Sequence, residues 1–248
     1  MIESPNTAVP AVSFRHVTKL YGTVPGVRDV SFDWPSHKVI GLIGPNGGGK
    51  STLLKLAAGL LRPTSGEVLV NGQARVGRIS AEVAFLGDAD MLYPFYNVRE
   101  MTAYCSGVFP DFSAARAQQL LDFMELSPDT RVSALSKRGL ARLKIALTVS
   151  RDASLLLMDE PLSGLDPMVR ESLIKGLVSF VDLDRQTLVV STHEVTEVEP
   201  LLDIAMIVFG GRIRASEAVE HVHEGAYPRG LVGWMADQVG RAAVSKPS

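Results

Sequence analysis

The chain has 248 residues, of which 46% are hydrophobic and 21% are charged, and its formal net charge is −2. These values fit a globular protein with one large core, or a core plus a smaller subdomain, and they give no sign of a nucleic-acid-binding surface. With a single cysteine, Cys105, the chain cannot form an internal disulfide. No apolar run is long enough to cross a bilayer, and the first residues lack a signal-peptide pattern. We therefore expect a cytosolic protein.

Two strands are predicted after a loose leader of residues 1–10. Val12 and Phe14 alternate with other residues in the first, and Phe32 and Trp34 do the same in the second. Alternation of this kind is typical of half-buried strands. We therefore expect the first third of the chain to be rich in strands around a single βα unit.

A glycine-rich loop follows the apolar run Val39–Ile43, which predicts a buried strand. The sequence of Gly44–Thr52 fits the phosphate-binding pattern G-x-x-x-x-G-K-[ST], and apolar residues behind it predict a helix. Glycines let backbone N–H groups turn toward phosphate oxygens, and the helix N-terminus adds a partial positive charge. We predict that Lys50 reaches the β- and γ-phosphates and that Ser51 binds Mg²⁺. The flanking strand and helix disfavour the alternative, a glycine-rich turn with a chance Lys-Ser.

The pattern then changes from strands to helices. Glu67–Val70 and the following Asn71-Gly72 predict a hairpin, and Val83–Leu86 is a further strand candidate. Apolar residues recur at helical spacing beyond this point, and we interpret residues 90–149 as a mainly helical insert. The apolar positions with this spacing are Ala117, Leu120, Leu121, Met124, Leu140, Leu143 and Leu147.

A second nucleotide-binding signature lies at the end of the apolar run Ser154–Met158, which predicts a central parallel strand. Asp159 follows this strand, where a carboxylate at the carboxyl edge of the sheet can serve Mg²⁺. The next residue, Glu160, can orient or deprotonate the attacking water. The Lys50 loop disfavours the alternative, a solvated strand end.

His193 follows another apolar strand, Thr187–Val190. Sites in parallel sheets gather at the carboxyl ends of strands. We therefore predict that the His193 imidazole donates a hydrogen bond to the γ-phosphate, although a lone histidine is more often structural.

The remaining elements flank these two strands. Asp166-Pro167 predicts a helix start, with aspartate at the cap and proline in the first turn. Gly210-Gly211 predicts a hairpin between Ile204–Phe209 and Arg212–Arg214. From about Ala226 the chain is expected to be partly disordered.

The motifs in this order resemble the ATP-binding subunit of an ATP-binding cassette (ABC) transporter. GPNGGGKST resembles the Walker A motif, LLLMDEP resembles Walker B with its catalytic glutamate, and Ser163–Asp166 resembles the D-loop. Ser191–Glu194 resembles the switch-histidine region, and Tyr21 falls where the family stacks an aromatic ring on adenine. The resemblance covers about residues 11–215, and it leaves residues 216–248 as a C-terminal tail.

The resemblance implies an α/β fold of the P-loop NTPase class, with a RecA-like core, an N-terminal antiparallel β subdomain and the helical subdomain at about residues 90–149. It implies ATP and Mg²⁺ as cofactors, Glu160 and His193 as catalytic residues, and Ser51 and Asp159 as metal ligands. The implied nucleotide-binding residues are Tyr21, Gly44, Pro45, Asn46, Gly47, Gly48, Gly49, Lys50, Ser51 and Thr52.

The signature motif departs from the family. Its LSGGQ pattern corresponds here to Leu135–Gly139, so that Lys137 and Arg138 replace both glycines. Ser136 can still donate a hydrogen bond to a γ-phosphate bound by the opposite subunit. Two interpretations of Arg138 are open: contact with phosphate oxygens across a dimer, or a bulky cation that weakens closure on ATP. The residues implied in this trans site are Ser136, Lys137, Arg138, Gly139 and Asp166.

A further departure follows the strand candidate Val83–Leu86. The family usually has a glutamine there, and the spacing places Asp88 at this position. Its carboxylate can accept a hydrogen bond from water or join the Mg²⁺ shell, but it cannot donate as an amide does.

The next segment resembles the part of the family that receives the coupling helix of a membrane subunit. Tyr93, Phe95 and Tyr96 are the implied permease contacts, because exposed aromatic side chains suit an apolar groove. Phe109–Phe112, together with Lys137 and the replaced glutamine, resembles a bacterial subgroup, the YtrB-like exporter ATPases, whose partners are ABC-2-type membrane proteins.

The leading hypothesis is an ATPase subunit that dimerises on ATP and powers export through a separate ABC-2-type permease, on the inner face of the plasma membrane. Whether the dimer contains two copies of this chain or a second ATPase subunit is open. A soluble ABC ATPase acting on ribosomes or DNA is the first alternative, disfavoured by the single P-loop, the missing coiled coil and the neutral charge. A degenerate regulatory subunit, suggested by Lys137 and Arg138, is the second.

Overall fold

A computed structural model of the chain describes residues 9–74, 82–87, 92–225, 227 and 229–244. The strands are β1 (Val12–Tyr21), β2 (Val24–Trp34), β3 (Val39–Ile43), β4 (Ser65–Val70), β5 (Gln73–Ala74), β6 (Val83–Leu86), β7 (Leu155–Asp159), β8 (Thr187–Thr192), β9 (Ile204–Phe209) and β10 (Arg212–Ala218). The helices are α1 (Lys50–Ala57), α2 (Val98–Val108), α3 (Ala114–Phe123), α4 (Lys137–Val149), α5 (Pro167–Phe180), α6 (Val195–Val198), α7 (Val219–Glu224) and α8 (Gly230–Val244). Two 3₁₀ turns cover Val132–Ala134 and Glu199–Leu201.

A six-stranded sheet in the order β10-β9-β3-β8-β7-β6 forms the centre of the molecule. Its strands pair in parallel except at the antiparallel edge strand β10. Every residue of β3, β7 and β8 is buried, as expected of apolar strands that are covered on both faces. The carboxyl ends of these three strands therefore meet at one edge of the sheet.

A four-stranded sheet in the order β2-β1-β4-β5 covers one side of this core. Its pairs are antiparallel, and the predicted strands and the hairpin after Val70 are confirmed. Phe14 stacks on Phe32 at a centroid distance of 4.5 Å and meets Trp34 edge-on at 5.1 Å. The same hydrophobic cluster includes Leu53 and Leu54 of α1, so α1 lies between the two sheets.

The region between β6 and β7 is helical, as the periodicity predicts. Its helices begin at polar caps that the sequence provides: Asn97 with Glu100 for α2, Ser113 for α3 and Ser136 for α4. A side-chain oxygen at this position accepts a hydrogen bond from an N–H group of the first turn, which stabilises the helix by about 1 kcal/mol. Helix α5 begins as predicted, with Asp166 as its cap and Pro167 in its first turn.

The expectation of partial disorder beyond residue 226 is wrong for most of that segment. Residues 230–244 form helix α8, whose Leu231 and Trp234 are buried in the main core cluster. Burial of these side chains stabilises a helix whose three glycines disfavour helical structure. In the part of the chain that the structure describes, no helix combines the length and apolar character needed to cross a bilayer.

Candidate functional site

The glycine-rich loop forms a narrow connection between β3 and α1. Gly49, at the helix start, has φ of 113°, and a Cβ atom added there would lie 2.7 Å from the Gly26 carbonyl oxygen. Only glycine fits both the backbone conformation and this close approach. The loop backbone can therefore reach a ligand without side chains in the way.

Lys50 is a buried cation at the start of α1, with 4% of its surface exposed. Its Nζ donates to the carbonyl oxygens of Gly44 at 2.7 Å and Pro45 at 3.2 Å, and it lies 3.1 Å from Oε1 of Glu160. A buried ammonium needs such partners, because desolvation of an unpaired charge is costly. The loop carbonyls and Glu160 thus hold this cation at the mouth of the loop.

Asp159 ends β7 and is 3% exposed. Its Oδ1 accepts hydrogen bonds from Ser51 Oγ at 2.9 Å and from Ser191 Oγ at 2.7 Å. Asp159 and Ser191 are paired residues on the neighbouring parallel strands β7 and β8, which explains why the strand ends bring them together. Ser51 and Asp159, separated by 108 positions, are direct neighbours.

Glu160 follows immediately and has a left-handed backbone with φ of 49°. A non-glycine residue in this region is uncommon and carries backbone strain. Its N–H group donates to Ser191 Oγ at 3.0 Å, which anchors the turn. Its Oε2 is 2.8 Å from Nδ1 of His193, while Oε1 faces Lys50. The carboxylate is therefore held from both sides.

Sequence reasoning did not assign a role to Ser191, which joins Asp159 to the Glu160 backbone. The position of Ser191 near the end of β8 could have indicated this contact. Residues near the carboxyl ends of two adjacent parallel strands lie side by side, so a small hydroxyl residue there lies beside the residue at the end of β7. The sequence alone does not state which strand is the neighbour, and so the signal is visible only with the sheet order.

These side chains line a cavity of about 520 Å³ that extends to Tyr21. The Tyr21 ring is 48% exposed, its hydroxyl lies 3.4 Å from Thr52 Oγ1, and the Lys19 ammonium is 5.7 Å from its centroid. Gly26 packs against this ring, since an added Cβ would lie 2.7 Å from a ring carbon. The lining residues are Tyr21, Val24, Pro25, Gly26, Asn46, Gly47, Gly48, Gly49, Lys50, Ser51, Thr52, Asp159, Glu160, Ser163 and His193.

The donor set suits a nucleotide with Mg²⁺. Hard oxygen ligands are available from the Ser51 hydroxyl and the Asp159 carboxylate, which already lie 2.9 Å apart. Mg²⁺ in nucleotide sites is usually bound by one or two such protein ligands together with phosphates and water. The described residues hold no group of three or more histidine, cysteine or acidic side chains that would suit an all-protein metal cage. Asp88, the third predicted metal ligand, lies outside the described residues.

No signature residue lines this cavity, but Lys137 lines an adjacent cavity of about 300 Å³ together with Asp159 and Glu160. Ser136 caps α4 by accepting from the Gly139 N–H group at 3.2 Å. Arg138 pairs with Asp166 of the same chain at 2.8 Å, with 53% and 45% of their side chains exposed. Lys137 lies beside Gly164, since an added Cβ there would be 2.7 Å from its Nζ. Both residues that replace the family glycines thus contact the D-loop segment in cis.

An aromatic groove lies on the helical side of the sheet. Tyr93 contacts Phe95, Tyr96 and Tyr104 at centroid distances of 5.5, 5.7 and 5.1 Å. Next to this cluster is a cavity of about 300 Å³, lined by residues that include Leu92, Tyr93, Tyr104, Cys105, Phe109, Lys144 and Arg151. Burial raises the pKa of the Cys105 thiol to about 11, so the thiol is protonated at neutral pH. The three predicted permease contacts therefore share one surface, and two of them, Tyr93 and Phe95, are exposed.

The sequence matches the family described as ABC transporter over residues 27–163. The Nod factor export ATP-binding protein I of Burkholderia orbicola is 33% identical over 222 residues, which cover 86% of this chain and 72% of that protein. The sulfate/thiosulfate import ATP-binding protein CysA 1 of Agrobacterium fabrum is 31% identical over 219 residues, which cover 84% of this chain and 63% of that protein.

Solved structures of similar fold agree with this match. One described as the ATP-binding subunit of an ABC transporter has a TM-score of 0.80 at 22% identity, over 92% of this chain and 99% of that chain. A dimeric ATP-binding cassette in a post-hydrolysis state, bound to ADP and Pi, has a TM-score of 0.74 at 22% identity, over 84% of this chain and 98% of that chain. The fold class expected from the sequence is confirmed.

Proposed function

The chain belongs to the ABC transporter family as an ATP-binding subunit with ATPase activity, and we propose that it closes in pairs on ATP and powers export through a separate ABC-2-type permease. One observation carries the proposal: Lys50, Glu160 and His193 form a continuous chain of contacts beside the buried Asp159 carboxylate. The protein would act in the cytosol, at the inner face of the plasma membrane, where its permease holds it.

ATP would occupy the cavity of about 520 Å³. Tyr21 is 48% exposed, and adenine would stack on its ring, an interaction worth roughly 1–3 kcal/mol for a base on an aromatic ring. The N–H groups of the glycine-rich loop and the start of α1 would face the phosphates. Ser51 and Asp159 would hold Mg²⁺, which when bound neutralises charge on the phosphate oxygens.

Hydrolysis would use the contacts that Lys50 now makes. The ammonium has three donors, and the γ-phosphate would compete for them with Glu160. Release from Lys50 leaves Glu160 able to accept a proton from water, while His193 keeps the carboxylate oriented. Attack of that water on the γ-phosphorus gives ADP and phosphate, and a well-placed general base contributes about 10²–10⁴ in rate.

The signature residues would act on the nucleotide of a second subunit. The Ser136 oxygen accepts from Gly139, so its O–H group is available to donate to a phosphate across the interface. Closure would then depend on contacts made with ATP and lost with ADP, which makes the dimer reversible on hydrolysis.

The aromatic groove would receive the permease. Exposed aromatic clusters next to an apolar cavity are typical of interaction sites. Relatives of this chain are named for both export of Nod factor and import of sulfate or thiosulfate. The resemblance of Phe109–Phe112 and Lys137 to the ABC-2 exporter subgroup favours export.

A second candidate function is a regulatory subunit that pairs with a more active ATPase subunit. The observation in its favour is the ion pair between Arg138 and Asp166, which engages the signature arginine within its own chain. In that case a mixed dimer would hydrolyse ATP at the site completed by the partner's signature motif, and this chain would supply Asp159, Glu160 and His193.

Reconstitution tests the transport proposal. The partner to test is any membrane protein with six hydrophobic segments that is encoded beside this gene, purified and placed with this chain in liposomes. We expect ATP hydrolysis to rise when the permease is present, and Phe95→Asp to remove this rise while the activity of the isolated subunit stays unchanged. The proposal would be contradicted by a rate of ATP hydrolysis that does not change when the permease is added, or by a rate that rises with ribosomes or DNA instead.

A further inference from the structure

Residues 193–201, which follow β8 and include His193, depend on contacts with other elements for their position. His193 directly follows β8, and α6 and the 3₁₀ turn Glu199–Leu201 come next. A four-residue helix such as α6 has little stability alone, because nucleation costs more than so few hydrogen bonds return. Tertiary contacts therefore determine where this stretch lies.

Glu199 connects the stretch to both C-terminal helices. Its Oε1 lies 2.8 Å from Nε2 of His223 in α7, and it accepts from the Leu231 N–H group in α8 at 3.1 Å. N–H groups of a first helical turn have no partner inside the helix, and a carboxylate there is also favoured by the helix dipole. A single carboxyl group thus joins three elements.

Gly230 makes this contact possible. Its φ is 53°, and a Cβ atom added there would lie 2.6 Å from Oε1 of Glu199. A larger residue would have both a strained backbone and a clash with the carboxylate. The close approach of α8 to Glu199 therefore requires the glycine.

Apolar packing reinforces the same connection. Val195 and Val198 of α6 are buried in one cluster with Leu231 and Trp234 of α8. Close-packed side chains transmit displacement rather than absorb it. A displacement of α8 would therefore also displace α6, which begins two residues after His193.

We propose that Glu199 is a positioning residue for ATP hydrolysis, which holds the His193 ring on Glu160 by fixing α7 and α8 against the stretch behind it. The inference rests on the proposed roles of Glu160 and His193. It adds the C-terminal helices, which none of the sequence motifs includes, to the machinery of the site. The distance that it maintains is the 2.8 Å between His193 Nδ1 and Glu160 Oε2.

The test compares four variants of the full chain. Glu199→Ala removes the bonds to both α7 and α8, His223→Ala removes only the bond to α7, and Glu199→Gln keeps an acceptor oxygen. His221→Ala is the matched control, because His221 also lies in α7 but pairs with Glu217 of β10 at 3.1 Å. We expect kcat to fall about tenfold in Glu199→Ala and less in His223→Ala, with KM for ATP within about twofold of the wild-type value, since a small displacement far from the chemistry acts on turnover.

NMR spectroscopy separates a positioning effect from a general loss of structure. The ring resonances of His193, assigned by their absence in His193→Gln, should change chemical shift in Glu199→Ala and return toward the wild-type values in Glu199→Gln. They should not move in His221→Ala. His223 is about half exposed, so His223→Ala tests the α7 bond on its own even where Glu199→Ala does not fold, and unmoved His193 signals in it would then overturn the inference.

The outcomes are distinguishable. Wild-type kcat and unmoved His193 signals in both Glu199→Ala and His223→Ala would overturn the inference and leave the proposed function intact. An equal loss of kcat in His221→Ala would also overturn it, because that loss would reflect general damage. Wild-type turnover in His193→Gln would instead contradict the proposed function, since His193 would then have no part in hydrolysis.

Discussion

The proposed catalytic corner (Lys50, Asp159, Glu160, Ser191 and His193) and the signature end (Leu135–Gly139 with Asp166) are built by opposite means. In the corner, an ion pair joins Lys50 to Glu160, and hydrogen bonds join Ser191 to both Glu160 and Asp159. At the signature end, Arg138 and Asp166 form one exposed ion pair. Buried polar groups lose stability sharply when a partner is removed, whereas an exposed pair is worth about 0–1 kcal/mol.

The difference shows which half of the site one chain can complete. Strand order and loop geometry fix the corner, so its parts are in contact without a second molecule. Ser136, Lys137 and Arg138 are exposed, Gly139 is buried, and none of them lines the described nucleotide cavity. Substitutions in the corner should therefore affect chemistry strongly, and substitutions at the signature end should have small effects on the isolated chain.

The largest effect is expected for Lys50→Ala. The substitution removes the buried cation that we propose binds the phosphates, and an arginine that stabilises a transferring phosphoryl group contributes about 10³–10⁵ in rate. Steady-state ATP hydrolysis should fall by that order, and ATP binding measured by calorimetry should weaken. Lys55→Ala, on the same helix, is the control and should retain activity; wild-type turnover in Lys50→Ala would remove the basis of the comparison.

Glu160→Gln should come next. An amide keeps the shape but cannot take a proton from water, so turnover should fall about 10²–10⁴ while ATP stays bound. Light scattering coupled to gel filtration should show a dimer with ATP and a monomer without it. A monomer under both conditions would mean that the signature end does not complete the site in pairs of this chain, which favours the regulatory candidate.

Ser191→Ala tests the residue that sequence reasoning missed. It leaves the Glu160 N–H group without its acceptor and removes a donor from Asp159, which costs about 1–3 kcal/mol. We expect turnover to fall about tenfold. Ser150→Ala removes an equally buried hydroxyl that bonds to Ala146, so it should lower stability without this loss of turnover; equal losses in both would contradict the assignment.

The smallest effects belong to the signature end. Asp166→Ala removes both the α5 cap and the ion pair, and a lost cap costs about 1 kcal/mol, or roughly 2–4 °C in melting temperature. Arg138→Ala removes the ion pair alone, so its melting temperature, measured by calorimetry, should be close to the wild-type value. A decrease in melting temperature as large as that of Asp166→Ala would show that the ion pair stabilises the fold as much as a buried pair does.

The corner was largely predictable from the sequence because its motifs are local. The glycine-rich pattern around Lys50 predicts a strand, a loop and a helix, and the apolar run before Asp159 predicts a buried strand that ends in a carboxylate. Their meeting follows from the rule that ligands bind at the carboxyl ends of parallel strands. Ser191 was missed because its role depends on the order of strands, which no local pattern states.

Other features depend on contacts between distant segments. The cis pairing of Arg138 with Asp166 spans 28 positions, and sequence spacing left both interpretations of Arg138 open. The tail that contains helix α8 was expected to be partly disordered, since glycine and proline disfavour helices, yet burial of Leu231 and Trp234 stabilises the helix. Tertiary packing overrides propensity in such segments.

A crystal structure of Glu160→Gln with ATP and Mg²⁺ would test the central claim most directly. The account predicts adenine on the Tyr21 ring, the γ-phosphate at Lys50 Nζ, and Mg²⁺ touching both Ser51 Oγ and an Asp159 oxygen. ATP bound outside this cavity, or Mg²⁺ bound without Ser51 and Asp159, would contradict it.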